Sequence, residues 1–169
     1  LKRMEKEQKH SLANDIAEHV KLQQQYDSLY NQSMTILNSL PVAVAVYNAK
    51  GKILYFNERF CRIFGTDMEE MAESHPNIYD SPVVTDEIKN AIKAGLPIFT
   101  SFPHDFGKVD GYITTVYTGI RYLECNGQPI RNPNGELASY VIIMEDITES
   151  LEKEEMLRQS RLKTEIAIK

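Results

Sequence analysis

Four histidines, two cysteines and a few acidic pairs are the side chains here whose types could do chemistry. Their spacing argues against most of it. His10, His19, His75 and His104 fall in no His-x-x-x-His pattern and have no cysteine neighbours of the kind a tetrahedral zinc site needs. Cys61 and Cys125 form no Cys-x-x-Cys unit and suit reduced thiols in a cytosolic compartment. Asp105-Phe106-Gly107 matches a triplet that holds magnesium in phosphoryl transfer, but no glycine-rich phosphate loop or His-Arg-Asp segment accompanies it. No Gly-x-Ser-x-Gly elbow and no Gly-x-x-x-x-Gly-Lys loop occurs, and Glu69-Glu70 and Glu154-Glu155 read as solvated helix faces. The chain is expected to sense or connect rather than to catalyse.

The elements that would position a binding site can be read next. The chain has 169 residues, 42% of them hydrophobic and 25% charged; that is room for one domain with appendages. No apolar run reaches the roughly 18 to 20 residues of a membrane helix, and residues 1–6 lack the apolar stretch expected of a signal peptide. A start at Leu1 points to a piece of a longer chain, with membrane spans outside it left open. The net charge is -5, all of it from residues 41–146, which carry nine basic and fourteen acidic side chains; both flanks are balanced at five and five. Nothing in that balance favours a nucleic-acid partner.

Residues 1–40 contain no Gly or Pro and read as one long helix. A heptad register places Ile16, Gln23, Tyr30 and Leu37 on one seam position and Leu12, His19, Tyr26, Ser33 and Leu40 on the other, a polar-interrupted coiled coil; the alternative is a helix packed on its own domain. Pro41 ends the helix, and residues 42–47 and 53–56 make a hairpin around Asn48-Ala49-Lys50-Gly51. Asn57 can cap a helix that closes at Gly65, residues 67–73 can add a helical turn, and Thr85 or Asp86 can cap another helix. Strands are expected over 98–102, 112–117, 120–125 running on towards Ile130, and 137–144, with Asn132-Pro133-Asn134-Gly135 turning the last pair. A charged helix then runs to Lys169, with no clean heptad.

Two blocks of residues carry a family resemblance. Gly51, Ile53-Leu54-Tyr55-Phe56-Asn57 and Phe60-Cys61-Arg62-Ile63-Phe64-Gly65 form the first; Gly127 through Gly135 and the strand to Asp146-Ile147-Thr148-Glu149 form the second. Together they resemble a PAS domain over most of residues 36–149. The resemblance implies an α+β fold: an antiparallel sheet of about five strands, short helices on one face, and signalling helices at both ends. The division it implies is an entry helix at 1–40, a PAS domain at 41–148 and an exit linker helix at 149–169.

PAS domains between such helices most often sit in bacterial sensor histidine kinases, in a cytoplasmic part of the chain. The implied function is to relay a ligand or conformational input to the exit helix, with a homodimer formed through the flanking helices and a kinase output domain downstream. The alternatives are a ligand-free dimerisation or docking module, or a PAS sensor of a cyclic-dinucleotide enzyme or transcription factor. No His-Glu-x-x-x-Pro phosphoacceptor box is present, so this chain is not expected to phosphorylate anything.

The resemblance also implies a cavity between sheet and helices. Its expected lining is Phe60, Phe64, Ile78, Tyr79, Ile88, Ile92, Tyr122, Ile142 and Met144, each of which is otherwise ordinary core, with tyrosine hydroxyls as the polar handles for a small-molecule ligand. No cofactor and no metal are expected: the helix at 86–94 lacks the histidine a haem-type domain uses there, leaving only His75 or His104, and Cys61 lies in an earlier helix than the cysteine of flavin photosensors. The signal relay is expected at Arg121, Asp146, Ile147 and Thr148. Asp146 would accept hydrogen bonds or pair with Arg121, Ile147 would anchor the helix start, and Thr148 would cap it; the plainer alternative is that Thr148 or Asp146 is just an N-cap.

Overall fold

The computed structural model describes residues 1–74 and 76–168. They pack as two units, Leu1–Leu40 and Pro41–Lys169. The first is a single helix, α1 (Lys2–Ser39), of 38 residues and roughly 57 Å. None of its residues is buried, and Leu12, Ile16, Tyr26 and Tyr30 are each more than half exposed. It ends at Leu40, whose extended backbone is what a following proline imposes.

The second unit runs β1 (Ala43–Asn48), β2 (Ile53–Phe56), α2 (Glu58–Phe64), α3 (Met68–Ser74), a single 3-10 turn at Ile78–Asp80, α4 (Asp86–Ala94), β3 (Ile98–Asp105), a second 3-10 turn at Phe106–Lys108, β4 (Ile120–Arg131), β5 (Leu137–Asp146) and α5 (Thr148–Ile168). The strands form one antiparallel sheet in the order β2-β1-β5-β4-β3. Its inner face is set by strict alternation: Leu123 and Cys125 from β4, Tyr140, Ile142 and Met144 from β5, and Phe102 and His104 from β3 are all buried. The short helices lie over that face and contribute Phe60, Phe64, Met71, Ile88 and Ile92 to one core.

Local chemistry explains the turns. Asn48 Oδ1 accepts from the amides of Lys50 and Lys52 and closes the β1–β2 hairpin. Asn57 caps α2 by accepting from the Phe60 amide at 3.0 Å. The same carboxamide oxygen accepts from Val44 N at 3.0 Å, and its Nδ2 donates to Val42 O at 2.8 Å, so one fully buried side chain ties helix to strand. Gly127 is required by close approach: a Cβ there would meet the Tyr140 ring at 2.5 Å. That leaves the Tyr140 hydroxyl free to donate to Leu96 O at 2.6 Å.

One expected strand is not one. Residues 112–117 form a loop, although Val116, Tyr112 and Ile113 are good strand formers. Tyr112 and Ile113 instead donate their amides back to Val109 O, and Val116 N donates to Gly65 O at the end of α2, so the loop's hydrogen bonds are turned away from the sheet. The strand before it is longer than expected: β3 runs to Asp105, which brings His104 into phase with Phe102.

Candidate functional site

Two neighbouring structures on the inner face bear on function, a small cavity and the junction that leads from the sheet into α5. The cavity has a volume of about 40 Å3, with Phe60, Phe64, Ile78, Met71, Tyr47 and Met144 among its walls. Of the expected lining, Phe60, Phe64, Ile78 and Met144 are brought together here. Ile88, Ile92 and Ile142 are buried core that does not reach the cavity.

The two tyrosines expected as polar handles are elsewhere. Tyr122 sits on the outer face of β4 and is 45% exposed, one residue out of phase with Leu123. Tyr79 donates its hydroxyl to Ala49 O at 3.0 Å, and its ring carries the Lys93 ammonium 4.9 Å from its centroid. It fastens the loop that follows α3 to the β1–β2 turn.

Four polar side chains line the cavity, Tyr47, Ser81, Tyr112 and His104, and His104 is 2% exposed with neither ring nitrogen hydrogen-bonded. Its neighbours are aromatic: Phe106 at 4.5 Å, Phe64 at 5.2 Å and Phe102 at 6.4 Å between ring centroids. Burial pulls its pKa down to about 4, an effect that Asp105 only partly opposes, so the imidazole is neutral at physiological pH. His104 is absent from the expected cavity lining because the expected strand ends at Phe102; the alternation Phe102, His104, Phe106 is the signal that places it inside.

Arg121 stands directly opposite His104 in the β3–β4 register. Its guanidinium lies 3.8 Å from the Tyr117 centroid and 6.0 Å from that of Phe106, and Nη1 donates to Asp146 Oδ2 at 3.1 Å. Asp146 Oδ1 accepts from the Thr148 amide at 3.0 Å. Ile147 N donates to Tyr122 O at 2.9 Å, Tyr122 N donates to Thr148 Oγ1 at 2.8 Å, and Ile147 O accepts the Leu151 amide in the first turn of α5. The capping role expected of Thr148 belongs to Asp146, whose side chain receives the helix's first amide; the Thr148 hydroxyl instead stitches α5 to β4. Burial raises the Asp146 carboxyl, but the bonds from Thr148 and the Arg121 charge outweigh it and leave its pKa below the usual value.

An open groove of about 310 Å3 flanks this node, with Arg59, Arg62, Arg121, Glu145 and Asp146 on its walls. Arg121 is committed to Asp146 and Arg62 to Glu58 at 2.6 Å. Both cysteines are buried free thiols; burial pushes Cys61 up to about 11 and Cys125 up to about 12, so neither is a nucleophile. Asp105 Oδ1 accepts from Gly107 N and caps the Phe106–Lys108 turn, a structural use of that triplet. Among the described residues no cluster of three metal-ligating side chains is found; His75 lies outside them.

This arrangement can be set beside known proteins. The sequence model of the PAS domain family matches residues 41–149. The chain belongs to the PAS domain family. It is 26% identical over 139 residues to a nitrogen fixation regulatory protein of Klebsiella oxytoca, covering 81% of this chain and 26% of that one. It thus spans about a quarter of the length of that relative. Among solved structures, an RNA-binding light-oxygen-voltage receptor superposes with a TM-score of 0.58 at 20% identity, over 79% of this chain and 37% of that one. A PAS domain from a two-component sensor histidine kinase superposes with a TM-score of 0.53 at 12% identity, over 72% of this chain and 98% of that one. These likenesses establish the fold. The PAS domain here is a sensory signalling module, and no helix among the described residues is long and apolar enough to cross a membrane.

The closed cavity of about 40 Å3 holds little more than one or two waters, and neither cysteine lines it.

Proposed function

We propose that this PAS domain is the sensory, signal-transducing module of a two-component histidine kinase, relaying ligand or conformational input through Asp146 to α5. The observation that carries this reading is the convergence on one carboxylate of the sheet's inner face, through Arg121, and of the output helix, through the Thr148 amide. His104, Phe106, Arg121, Asp146 and Thr148 form an unbroken run of ring, cation–π, ion-pair and hydrogen-bond contacts from the cavity to the first turn of α5. A shift of Phe106 changes the seat of the guanidinium, and the guanidinium holds the carboxylate that starts the helix. A solved kinase PAS domain shares the fold, which agrees with this context.

In this reading residues 1–40 are the entry helix, 41–148 the sensor and 149–169 the exit linker to a kinase output domain, in a cytoplasmic part of a bacterial protein. The unit is a homodimer: α1 buries nothing of its own, and α5 likewise leaves Met156, Leu157, Leu162 and Ile166 exposed. A ligand-free dimerisation module is the competing reading, favoured by those same exposed stripes.

Asp146→Ala in the full-length parent tests the relay. Autophosphorylation is expected to lose its dependence on input while the domain stays folded by circular dichroism. Regulation unchanged from wild type sinks the proposal.

A further inference from the structure

We propose that the cavity beside His104 is a recognition site for a small uncharged molecule with a hydroxyl on a mostly apolar body, a monocyclic phenol being the best match, and that the His104 imidazole reads the hydroxyl. This deepens the sensory reading above and rests on it.

A buried polar group without a partner is costly, and native proteins retain few of them. His104 has two such atoms at once, in a wall whose other polar side chains are Tyr47, Ser81 and Tyr112. A neutral imidazole presents one N–H donor and one bare nitrogen acceptor. A hydroxyl is the smallest group that can serve either of them, donating to one or accepting from the other.

Charge decides against the other classes. A carboxylate or phosphate would call for an imidazolium or a free guanidinium, and burial holds His104 neutral while Arg121 is held by Asp146. An ammonium has no acidic side chain among the residues lining the cavity. What remains is an uncharged molecule whose body packs against Phe60, Phe64, Ile78 and Met144.

Size and access agree if one wall moves. The cavity of about 40 Å3 exceeds the roughly 10 to 15 Å3 that a water needs but is too small for a six-membered ring. Tyr112 and Ile113 line it, and both also line an open cleft of about 590 Å3 on the neighbouring surface. They belong to the loop that replaces the expected strand and has no partner in the sheet. Outward displacement of these two side chains joins cavity to cleft and admits a ring to His104.

The test uses the 169-residue chain with phenol and toluene as probes, by calorimetric titration and by nitrogen-15 spectra of the imidazole. Phenol is expected to bind saturably and shift both His104 nitrogen signals, with toluene at least tenfold weaker. His104→Phe is expected to weaken phenol at least tenfold and leave toluene unchanged. Equal affinity for the two probes, an unaltered phenol affinity in His104→Phe, or imidazole signals that phenol leaves at their water-satisfied position each overturns the proposal. Because binding is read without any output domain, its failure is separable from failure of the relay, which Asp146→Ala reports in the parent chain.

Discussion

Two buried polar side chains in the same domain, Asn57 and His104, are treated in opposite ways. Asn57 is fully buried and bonded at both ends of its carboxamide, to Val44 N, Phe60 N and Val42 O. His104 is almost as deeply buried and bonded at neither ring nitrogen. The first is what a fold needs to join a helix to a strand. The second adds nothing to stability as it stands, and a phenylalanine would fill the same aromatic cluster. A polar group that the fold does not use is the natural place to look for a group that function uses.

That contrast predicts a graded set of responses. The largest is expected at Asn57→Ala, which strands two buried amide donors and a carbonyl and removes the α2 cap; a loss of about 3 kcal/mol or more should appear in urea unfolding. A loss under about 1 kcal/mol would mean that the Asn57 node is replaceable and the contrast is weaker than drawn.

Acid comes next. His104 has a folded pKa of about 4, below the ordinary histidine value, so the unfolded chain takes up the proton first. His104 carries no protonation penalty above about pH 6.5 and destabilises the fold increasingly as the pH falls from there towards 4, by about 3 kcal/mol in all. The charge of Asp105, the next residue in β3, opposes this shift without cancelling it. In His104→Phe the part of the acid slope between pH 6.5 and 4 should vanish, and an unchanged slope would place the titration elsewhere.

A smaller effect of opposite sign is expected for the same variant at pH 7. Replacing a doubly unpartnered imidazole by an apolar ring of similar shape should raise stability by about 1 kcal/mol, read as a higher urea midpoint at constant slope. Destabilisation would show that His104 has partners in solution that make it part of the fold.

The smallest is expected at the junction. Arg121 and Asp146 keep 35% and 26% of their side-chain surface, so Arg121→Gln should cost no more than about 1 kcal/mol while speeding amide exchange at Thr148 and Leu151. Exchange at wild-type rates there would remove Arg121 from the relay.

How far the sequence anticipates this architecture depends on how local each signal is. The Asn48–Gly51 turn, the Asn57 and Thr85 caps, the Gly65 helix end and the Asn132–Gly135 turn were all legible, because the side chain and the backbone it serves lie within a few residues. The loop at 112–117 was not, because its fate is decided by a bond to Gly65, some fifty residues away, and β propensity has no view of it. Tyr122 was assigned to the wrong face by a single step of strand parity. Arg121 and Asp146 were legible as a pair, since both flank the strand ends that the family pattern brings together. His104 was hidden because the expected strand stops three residues short of Asp105.

The central claim is that the cavity and the start of α5 are coupled through Arg121 and Asp146. The most direct measurement is the amide spectrum of the chain titrated with phenol, followed at Thr148 and repeated in Arg121→Gln. The account predicts that the Thr148 amide signal moves together with the His104 imidazole in the wild type and stays still in Arg121→Gln while the imidazole continues to respond. A wild-type Thr148 signal that does not move when His104 does would contradict it.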